Sequence, residues 1–117
     1  LVGPSSVILA VMASGLNGQS FAFNGYLPVK PPERVQAIRR FERRAHAEGQ
    51  SQLFIEAPYR NVKLMEQLLQ TLAPETRLTV AMDITAPGEF IRTLRVREWR
   101  AAELPAMNKR PAIFIIG

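Results

Sequence analysis

Cysteine is absent from this 117-residue sequence, and histidine occurs once, at position 46. Without cysteine the chain can form no disulfide framework and no thiolate metal site. One histidine cannot build a zinc site alone, although carboxylates can still hold magnesium, and we assign no metal ligands. We expect His46 to be a solvated helix residue, which argues against a serine hydrolase because no Ser-His-Asp set is credible around it.

Several motifs that carry standard chemistries are also missing. The sequence contains no Walker loop, no G-x-G-x-x-G, no H-E-x-x-H and no G-x-S-x-G. Its apolar run at residues 7–11 is far too short to span a bilayer. Nor does the sequence start with a basic region followed by a signal-type apolar core. We therefore expect a cytoplasmic protein without membrane attachment.

The composition that is present is ordinary for a globular domain, with 47% hydrophobic and 21% charged residues. This length suits one domain over residues 1–117, with a single core. The chain begins with Leu1, which we interpret as the start of a piece from a longer protein. The net charge of +5 is modest, so it permits a nucleic-acid partner without requiring one.

The spacing of apolar residues predicts alternating helices and strands. Because helices separate most strands, we expect mainly parallel pairing, with either an antiparallel hairpin or a sheet corner across the short connection 83–89. The third strand is nearly continuous in apolar residues and is expected to be central. The predicted fold is α/β, a mixed five-stranded sheet flanked by helices on both faces. The predicted helices cover residues 5–13, 33–47, 62–72 and 96–102, and the strands 21–27, 53–56, 78–83, 89–95 and 112–116.

The most informative segment is residues 51–61, in which an apolar run ends abruptly at Glu56-Ala57-Pro58-Tyr59-Arg60. This pattern predicts a strand that enters a polar elbow and then a helix. In open α/β sheets, ligands bind at such carboxyl-terminal elbows. The alternative is that Glu56 and Arg60 are only capping or surface ion-pair residues, and the residues themselves leave both interpretations open.

Two further polar segments can join that elbow. Ser5 and Ser6 open an apolar helix, where hydroxyl and amide groups can hold an anion or simply cap the helix. Asp83-Ile84-Thr85 follows the third predicted strand, and Asp83 there can instead cap a turn. Together the three segments would line one rim of a cleft.

Arginine is concentrated in two clusters that are less specific. Both can contact phosphates, and both can equally be solvated surface. No aromatic residue suited to stacking is interleaved in the helical cluster, which argues against single-strand readout there. The clusters are Arg39, Arg40, Arg43 and Arg44, and Arg92, Arg95, Arg97 and Arg100.

These segments together resemble the C-terminal half of the tetrapyrrole (corrin/porphyrin) methylases, the class III S-adenosylmethionine-dependent methyltransferases. The resemblance covers essentially the whole chain. Within the family, Glu56-Ala57-Pro58-Tyr59-Arg60 and the later Thr85…Glu89 are most similar to the branch of ribosomal RNA small subunit methyltransferase I. The other markers of the resemblance to the family as a whole are Gly3-Pro4-Ser5-Ser6, Gly15-Leu16, Phe21…Gly25-Tyr26-Leu27-Pro28, Asp83-Ile84-Thr85 and Ile115-Ile116-Gly117.

The resemblance implies that this chain is the C-terminal domain of a two-domain, homodimeric enzyme whose N-terminal domain is missing here. S-adenosylmethionine would bind between the two domains, so the fragment alone is expected to be inactive. The implied reaction of the full-length parent is 2′-O-methylation of ribose in 16S rRNA. The positions that match the family's cofactor contacts are Ser5, Ser6, Glu56, Ala57, Ile84 and Thr85.

Several roles stay open at this point. A base or polarising group would help a ribose hydroxyl react, and the candidates are Glu56, Arg60 and Asp83. Tyr59 can stack on an extruded base while Arg60 binds a phosphate, although both can also be structural. Because a tetrapyrrole carries many carboxylates, a tetrapyrrole C-methyltransferase is the first alternative. A non-catalytic RNA-binding or dimerisation module is the second.

Overall fold

The computed structural model describes residues 20–117. The segments Gly3–Ser6 and 5–13, and with them Ser5 and Ser6, lie outside the described residues. The strands are β1 (Phe21–Tyr26), β2 (Ser51–Ile55), β3 (Arg77–Met82), β4 (Phe90–Arg95) and β5 (Ala112–Ile116). The helices are α1 (Pro31–Glu48), α2 (Asn61–Thr71) and α3 (Val96–Ala101), with a 3₁₀ turn at Pro58–Arg60.

The five strands form one mixed sheet in the order β1-β2-β5-β3-β4. Strand β1 pairs in parallel with β2. Strand β5 is antiparallel to both of its neighbours, β2 and β3, and β4 forms an antiparallel hairpin with β3, one of the two expected arrangements. The mixed five-stranded sheet is therefore confirmed, whereas the expectation of mainly parallel pairing is wrong.

The reason for the difference is the position of the last strand. Every residue of β5 is buried. This strand is the central one, and it lies between β2 and β3 and antiparallel to both. Strand β3 is an interior strand, as its apolar sequence predicted, but it is not the central one. Helical connections between strands did not reveal that the last strand would be inserted there.

The three described helices share one face of the sheet, so the expectation of helices on both faces stays a prediction that depends on residues outside the described range. Their apolar side chains form a single core cluster with alternate residues of the interior strands, including Phe54, Val80 and Phe114. The rings of these two phenylalanines stack at 6.2 Å between centroids. A smaller cluster of Leu53, Ala81, Ile113 and Ile115 lies on the opposite face.

Helix α1 shows how the sequence sets the local structure. Prolines occupy its first two positions, where the missing N–H is tolerated, and Gly49 ends it with a φ of 61°. Its buried face carries Ile38, Phe41 and Ala45, and Arg34 continues that face, whereas Val35 is only half-buried. A buried arginine needs a partner, and that partner lies at the candidate site.

The strand directions bring the predicted elbows to one edge. Because β3 is antiparallel to β5 and β5 is antiparallel to β2, strands β2 and β3 run in the same direction. Ile55 and Ala81 both pair with Ile113, so the two strands end at nearly the same level. Two strand spacings separate their ends by about 10 Å. The loops that follow β2 and β3 therefore flank the start of β5.

Candidate functional site

The elbow after β2 is a short turn that leads directly into α2. The Arg60 amide donates to the Ala57 carbonyl oxygen at 2.8 Å, which closes the 3₁₀ turn. Tyr59, at the tip of the elbow, is 63% exposed, and Ala57 is half-buried. Pro58 at the first position of the turn accounts for the sharp change from strand to helix. The elbow thus presents an aromatic side chain to the surface.

The Glu56 side chain points inward rather than to the surface. Its Oε2 pairs with the guanidinium of Arg34, and both side chains are only 3% exposed. Its Oε1 accepts a hydrogen bond of 2.8 Å from the Ala57 amide. Arg34 also donates from Nε to the Pro28 carbonyl oxygen at 2.7 Å and from Nη1 to Oε1 of Gln67 at 3.1 Å. The pair therefore ties together the entrance of α1, the end of β2 and α2.

The elbow after β3 has an unusual backbone. Asp83 and Thr85 have φ values of 51° and 66°. The Thr85 amide donates to Oε1 of Glu89 at 2.9 Å, and its hydroxyl donates to the Ile84 carbonyl oxygen at 2.6 Å. Positive φ is especially unfavourable for a β-branched residue, so the loop's contacts must hold Thr85 in place.

Arg110, in a third loop, makes further contacts to the loop after β3. Its Nε lies 2.6 Å from Oδ2 of Asp83, and this ion pair is partly exposed. Its two other nitrogens donate to the carbonyl oxygens of Ala106, at 2.8 Å, and Gly88, at 2.6 Å. Gly88 lies so close that an added Cβ would be 3.3 Å from Oδ2 of Asp83. The loop after β3 is thereby fastened to the segment that precedes β5.

Asn61 fastens the same segment to the elbow after β2. Its buried amide nitrogen donates to the carbonyl oxygens of Met107, at 2.9 Å, and Arg110, at 2.7 Å. The Lys109 amide in turn donates to the Pro58 carbonyl oxygen at 3.1 Å. The three loops at this edge are therefore one connected unit: residues 56–61, 83–89 and 106–111.

Backbone strain is concentrated in this unit. Within residues 20–117, the non-glycine residues with positive φ are Asp83, Thr85 and Lys109, all of which lie in these loops. Such conformations persist only where the surroundings over-determine them, and they are commonly found at functional sites. The strain is thus an independent reason to place the candidate site at this edge of the sheet.

Sequence reasoning brought Glu56, Ala57, Asp83, Ile84 and Thr85 to one edge, and the structure places them there. The sequence-based prediction missed Arg34, Asn61 and Arg110, whose side chains hold the loops. One signal was available for Arg34, which shares the helical spacing of the buried Ile38 and Phe41. Arg110 has no such local signal, since its partner Asp83 lies 27 residues away.

The two arginine clusters differ in their surroundings. Arg39, Arg40, Arg43 and Arg44 are exposed on α1, where the guanidinium carbons of Arg40 and Arg44 lie 5.2 and 5.9 Å from the Phe41 ring centroid. In the second cluster, Arg95 and Arg97 pair with Glu75, and Arg100 donates to the Leu69 carbonyl oxygen. That cluster is therefore largely occupied by contacts within the chain.

The predicted solvated state of His46 is confirmed by its exposed position at the end of α1. Across the described range, no group of three or more acidic or histidine side chains is placed to bind a metal ion. In the same range, no helix combines the length and apolarity needed to cross a membrane.

The edge carries groups that suit a nucleoside-sized ligand. Ala57 and Ile84 are half-buried and apolar, while Thr85 is exposed and its hydroxyl oxygen retains acceptor capacity. The spacing of about 10 Å between the two strand ends allows one ligand to contact both loops. A few placed polar groups among apolar walls are typical of cofactor sites.

No family model matches this chain. It is 31% identical over 98 residues to ribosomal RNA small subunit methyltransferase I of Vibrio cholerae serotype O1, covering 84% of this chain and 33% of that protein. Across this and two further relatives of the same name, the chain spans 33–39% of their length.

Two solved structures share the fold. The structure of the methyltransferase CobJ has a TM-score of 0.58 and 16% identity over 95% of this chain and 46% of that one. A uroporphyrin-III C-methyltransferase from Thermus thermophilus, solved in complex with S-adenosyl homocysteine, has a TM-score of 0.51. It is 21% identical over 92% of this chain and 48% of its own. At these identities the likeness concerns the fold alone.

Proposed function

We propose that the parent of this chain is an S-adenosylmethionine-dependent methyltransferase of the tetrapyrrole methylase family, because the chain is 31% identical over 84% of its length to ribosomal RNA small subunit methyltransferase I of Vibrio cholerae serotype O1 and shares its fold with the methyltransferase CobJ. One observation carries the proposal. The loops after β2 and β3 emerge at one edge on either side of β5, and they are held there by Arg34–Glu56 and Arg110–Asp83. Such an edge is where α/β sheets bind their ligands.

The proposed cofactor contacts come from both loops. Ala57 and Ile84 offer apolar surface, and the Thr85 hydroxyl can accept a hydrogen bond. Glu56 would contribute through its backbone, because its carboxylate is already paired with Arg34 and hydrogen-bonded to the Ala57 amide. Ser5 and Ser6 complete the proposed set on the strength of the resemblance. The cofactor would supply a methyl group bound to a sulfonium sulfur, and the neutral thioether, S-adenosylhomocysteine, would be the good leaving group.

The protein's main contribution to methyl transfer would be alignment of the acceptor oxygen with that methyl. A proton acceptor would help a ribose hydroxyl. Glu56 and Asp83 are each paired with an arginine, so we assign them to positioning of the two loops. Arg60 offers a planar guanidinium, which suits it to binding a phosphate or polarising the acceptor.

We propose RNA as the substrate class, with a ribose 2′-hydroxyl of 16S rRNA as the acceptor. The names of the relatives and the exposed Tyr59 beside Arg60 support this choice. The test is transfer of labelled methyl from the cofactor to 30S subunits and, separately, to a uroporphyrinogen-type substrate, using full-length protein. Label in the 30S subunits alone is expected. Label in the tetrapyrrole alone would overturn the RNA assignment and retain the methyltransferase.

We further propose that this chain is the C-terminal domain of a cytoplasmic homodimer whose N-terminal domain completes the cofactor cleft. The described loops form one wall of such a cleft, so much of the contact free energy would come from elsewhere. Calorimetry should therefore detect cofactor binding by the full-length protein and weak or no binding by residues 1–117. Equally tight binding by both would contradict the two-domain site. A full-length protein that binds RNA but transfers no methyl group would instead support a non-catalytic module.

A further inference from the structure

A groove lies beside the elbow, between the start of α1 and the first turns of α2. It has a volume of about 300 Å³, which is at the lower end of the range for ligand pockets. Arg34 contributes to its wall, but the charge of Arg34 is balanced by Glu56. The residues that line it are Val29, Pro31, Arg34, Tyr59, Arg60, Lys63 and Gln67.

The side chains that line the groove carry an excess of positive charge. Arg60 and Lys63 add two positive charges to its wall, and no acidic side chain is among the described residues that line it. Glu66, one helical turn from Lys63, lines an adjoining depression that shares Lys63 and Gln67 with the groove, whereas Arg60 belongs to the groove and not to that depression. The groove beside Tyr59 therefore attracts anions, and its electrostatic complement is a phosphate backbone.

The groove also presents an aromatic and an aliphatic side chain to solvent. Tyr59 is 63% exposed and Val29 is 62% exposed. The guanidinium carbon of Arg60 lies 5.0 Å from the Tyr59 ring centroid, so the aromatic face and the cation are adjacent. Aromatic rings beside cations are the typical elements of single-stranded nucleic-acid sites, where rings stack on bases and cations contact phosphates.

We propose that this groove binds a single-stranded segment of the RNA substrate next to the methyl acceptor. Tyr59 stacks on one base, and Arg60 and Lys63 contact the adjoining phosphates. The buried Arg34–Glu56 pair fixes the position of the groove wall relative to the elbow. RNA bound in the groove is therefore held at a fixed distance from Ala57. This inference rests on the proposed function and adds to it the surface and the strand state of the substrate.

The test uses full-length protein with a single-stranded oligoribonucleotide and with 30S subunits. Tyr59→Ala should weaken oligonucleotide binding about fivefold or more, and Tyr59→Phe should retain it because the ring remains. Lys63→Ala should reduce the slope of log affinity against log salt by about 0.7, as loss of one phosphate contact requires. The matched control is Arg43→Ala, which removes one positive charge from an exposed site outside the groove.

The proposal requires that cofactor affinity stay unchanged in all four variants. It is overturned if Tyr59→Ala and Lys63→Ala bind the oligonucleotide as the wild type does, or if Arg43→Ala has the same effect on the slope. Loss of cofactor affinity or of the oligomeric state, with RNA affinity intact, would assign the groove to contacts within the enzyme. Methylation of 30S subunits by the wild type tests the proposed function independently. If that methylation is normal, the proposed function stands whichever outcome is found for the groove.

Discussion

Arg34 and Glu56 form an ion pair at the end of β2 in which each side chain is only 3% exposed. The arginine belongs to the first turn of α1 and the glutamate to the elbow, 22 residues farther along the chain. Each partner makes further hydrogen bonds, to Pro28, Gln67 and the Ala57 amide. The pair therefore sets the position of the elbow from the inside.

Removal of Arg34 should be strongly destabilising. Arg34→Met leaves the Glu56 carboxylate buried without its partner, which should lower the free energy of unfolding by about 3–5 kcal/mol. Urea unfolding measures the change. The control is Arg97→Met, because the pair of Arg97 with Glu75 is 57% and 65% exposed, and its loss should cost about 1 kcal/mol or less. Similar losses for the two variants would contradict the importance of burial.

Arg110→Lys should loosen the loop after β3 while retaining the charge. A lysine cannot reach Asp83, Gly88 and Ala106 together, so the free energy of unfolding should fall by about 1–2 kcal/mol. Amide hydrogen exchange should accelerate in residues 83–89 and not in α1. Arg92→Lys, at an exposed site on β4, is the matched control and should leave exchange in that loop unchanged.

Asn61 provides a test of the connection between loops. Asn61→Ala removes the donor to the Met107 and Arg110 carbonyl oxygens, and the loss of stability should be about 2 kcal/mol. Asn61→Asp should be worse, since a carboxylate would face the same two acceptors. Thermal unfolding of the two variants gives the order. If Asn61→Asp is the more stable, the amide is not the donor.

Thr85 separates binding from backbone strain. Thr85→Val retains the β-branch at a φ of 66° and replaces the hydroxyl with a methyl group. It should weaken cofactor binding to the full-length protein by about 0.5–1.5 kcal/mol and leave stability nearly unchanged. Thr85→Gly also lacks the hydroxyl but relieves the strain, so it should bind as weakly while gaining about 1 kcal/mol in stability.

Calorimetry and urea unfolding on both variants provide the comparison. Normal cofactor affinity in Thr85→Val would show that the Thr85 hydroxyl does not bind the cofactor and that the residue only shapes the turn. Ser6→Val offers the corresponding test for the first segment, where we expect a similar loss of affinity with the fold retained. The two results are independent because the two residues belong to different segments of the chain.

Much of the fold could be predicted because its signals are local. Strand β5 was predicted with its observed bounds from five consecutive apolar residues, and Pro31 and Gly49 mark the limits of α1. The 3₁₀ turn at Pro58–Arg60 was missed, although the proline already indicated an abrupt change of direction. Helical periodicity and turn chemistry act within a few residues, so they are legible in the sequence alone.

The polar segments after β2 and β3 could be read directly from the amino-acid sequence, as could the position of Tyr59 and Arg60 at one of these strand ends. The placement of β5 between the two strands, and the arginines that hold both loops, became visible in the folded arrangement. Asp83 and Arg110 lie 27 residues apart, and their pairing depends on which loops become neighbours. Strand order sets that adjacency through the burial of whole strands, so no local pattern records it.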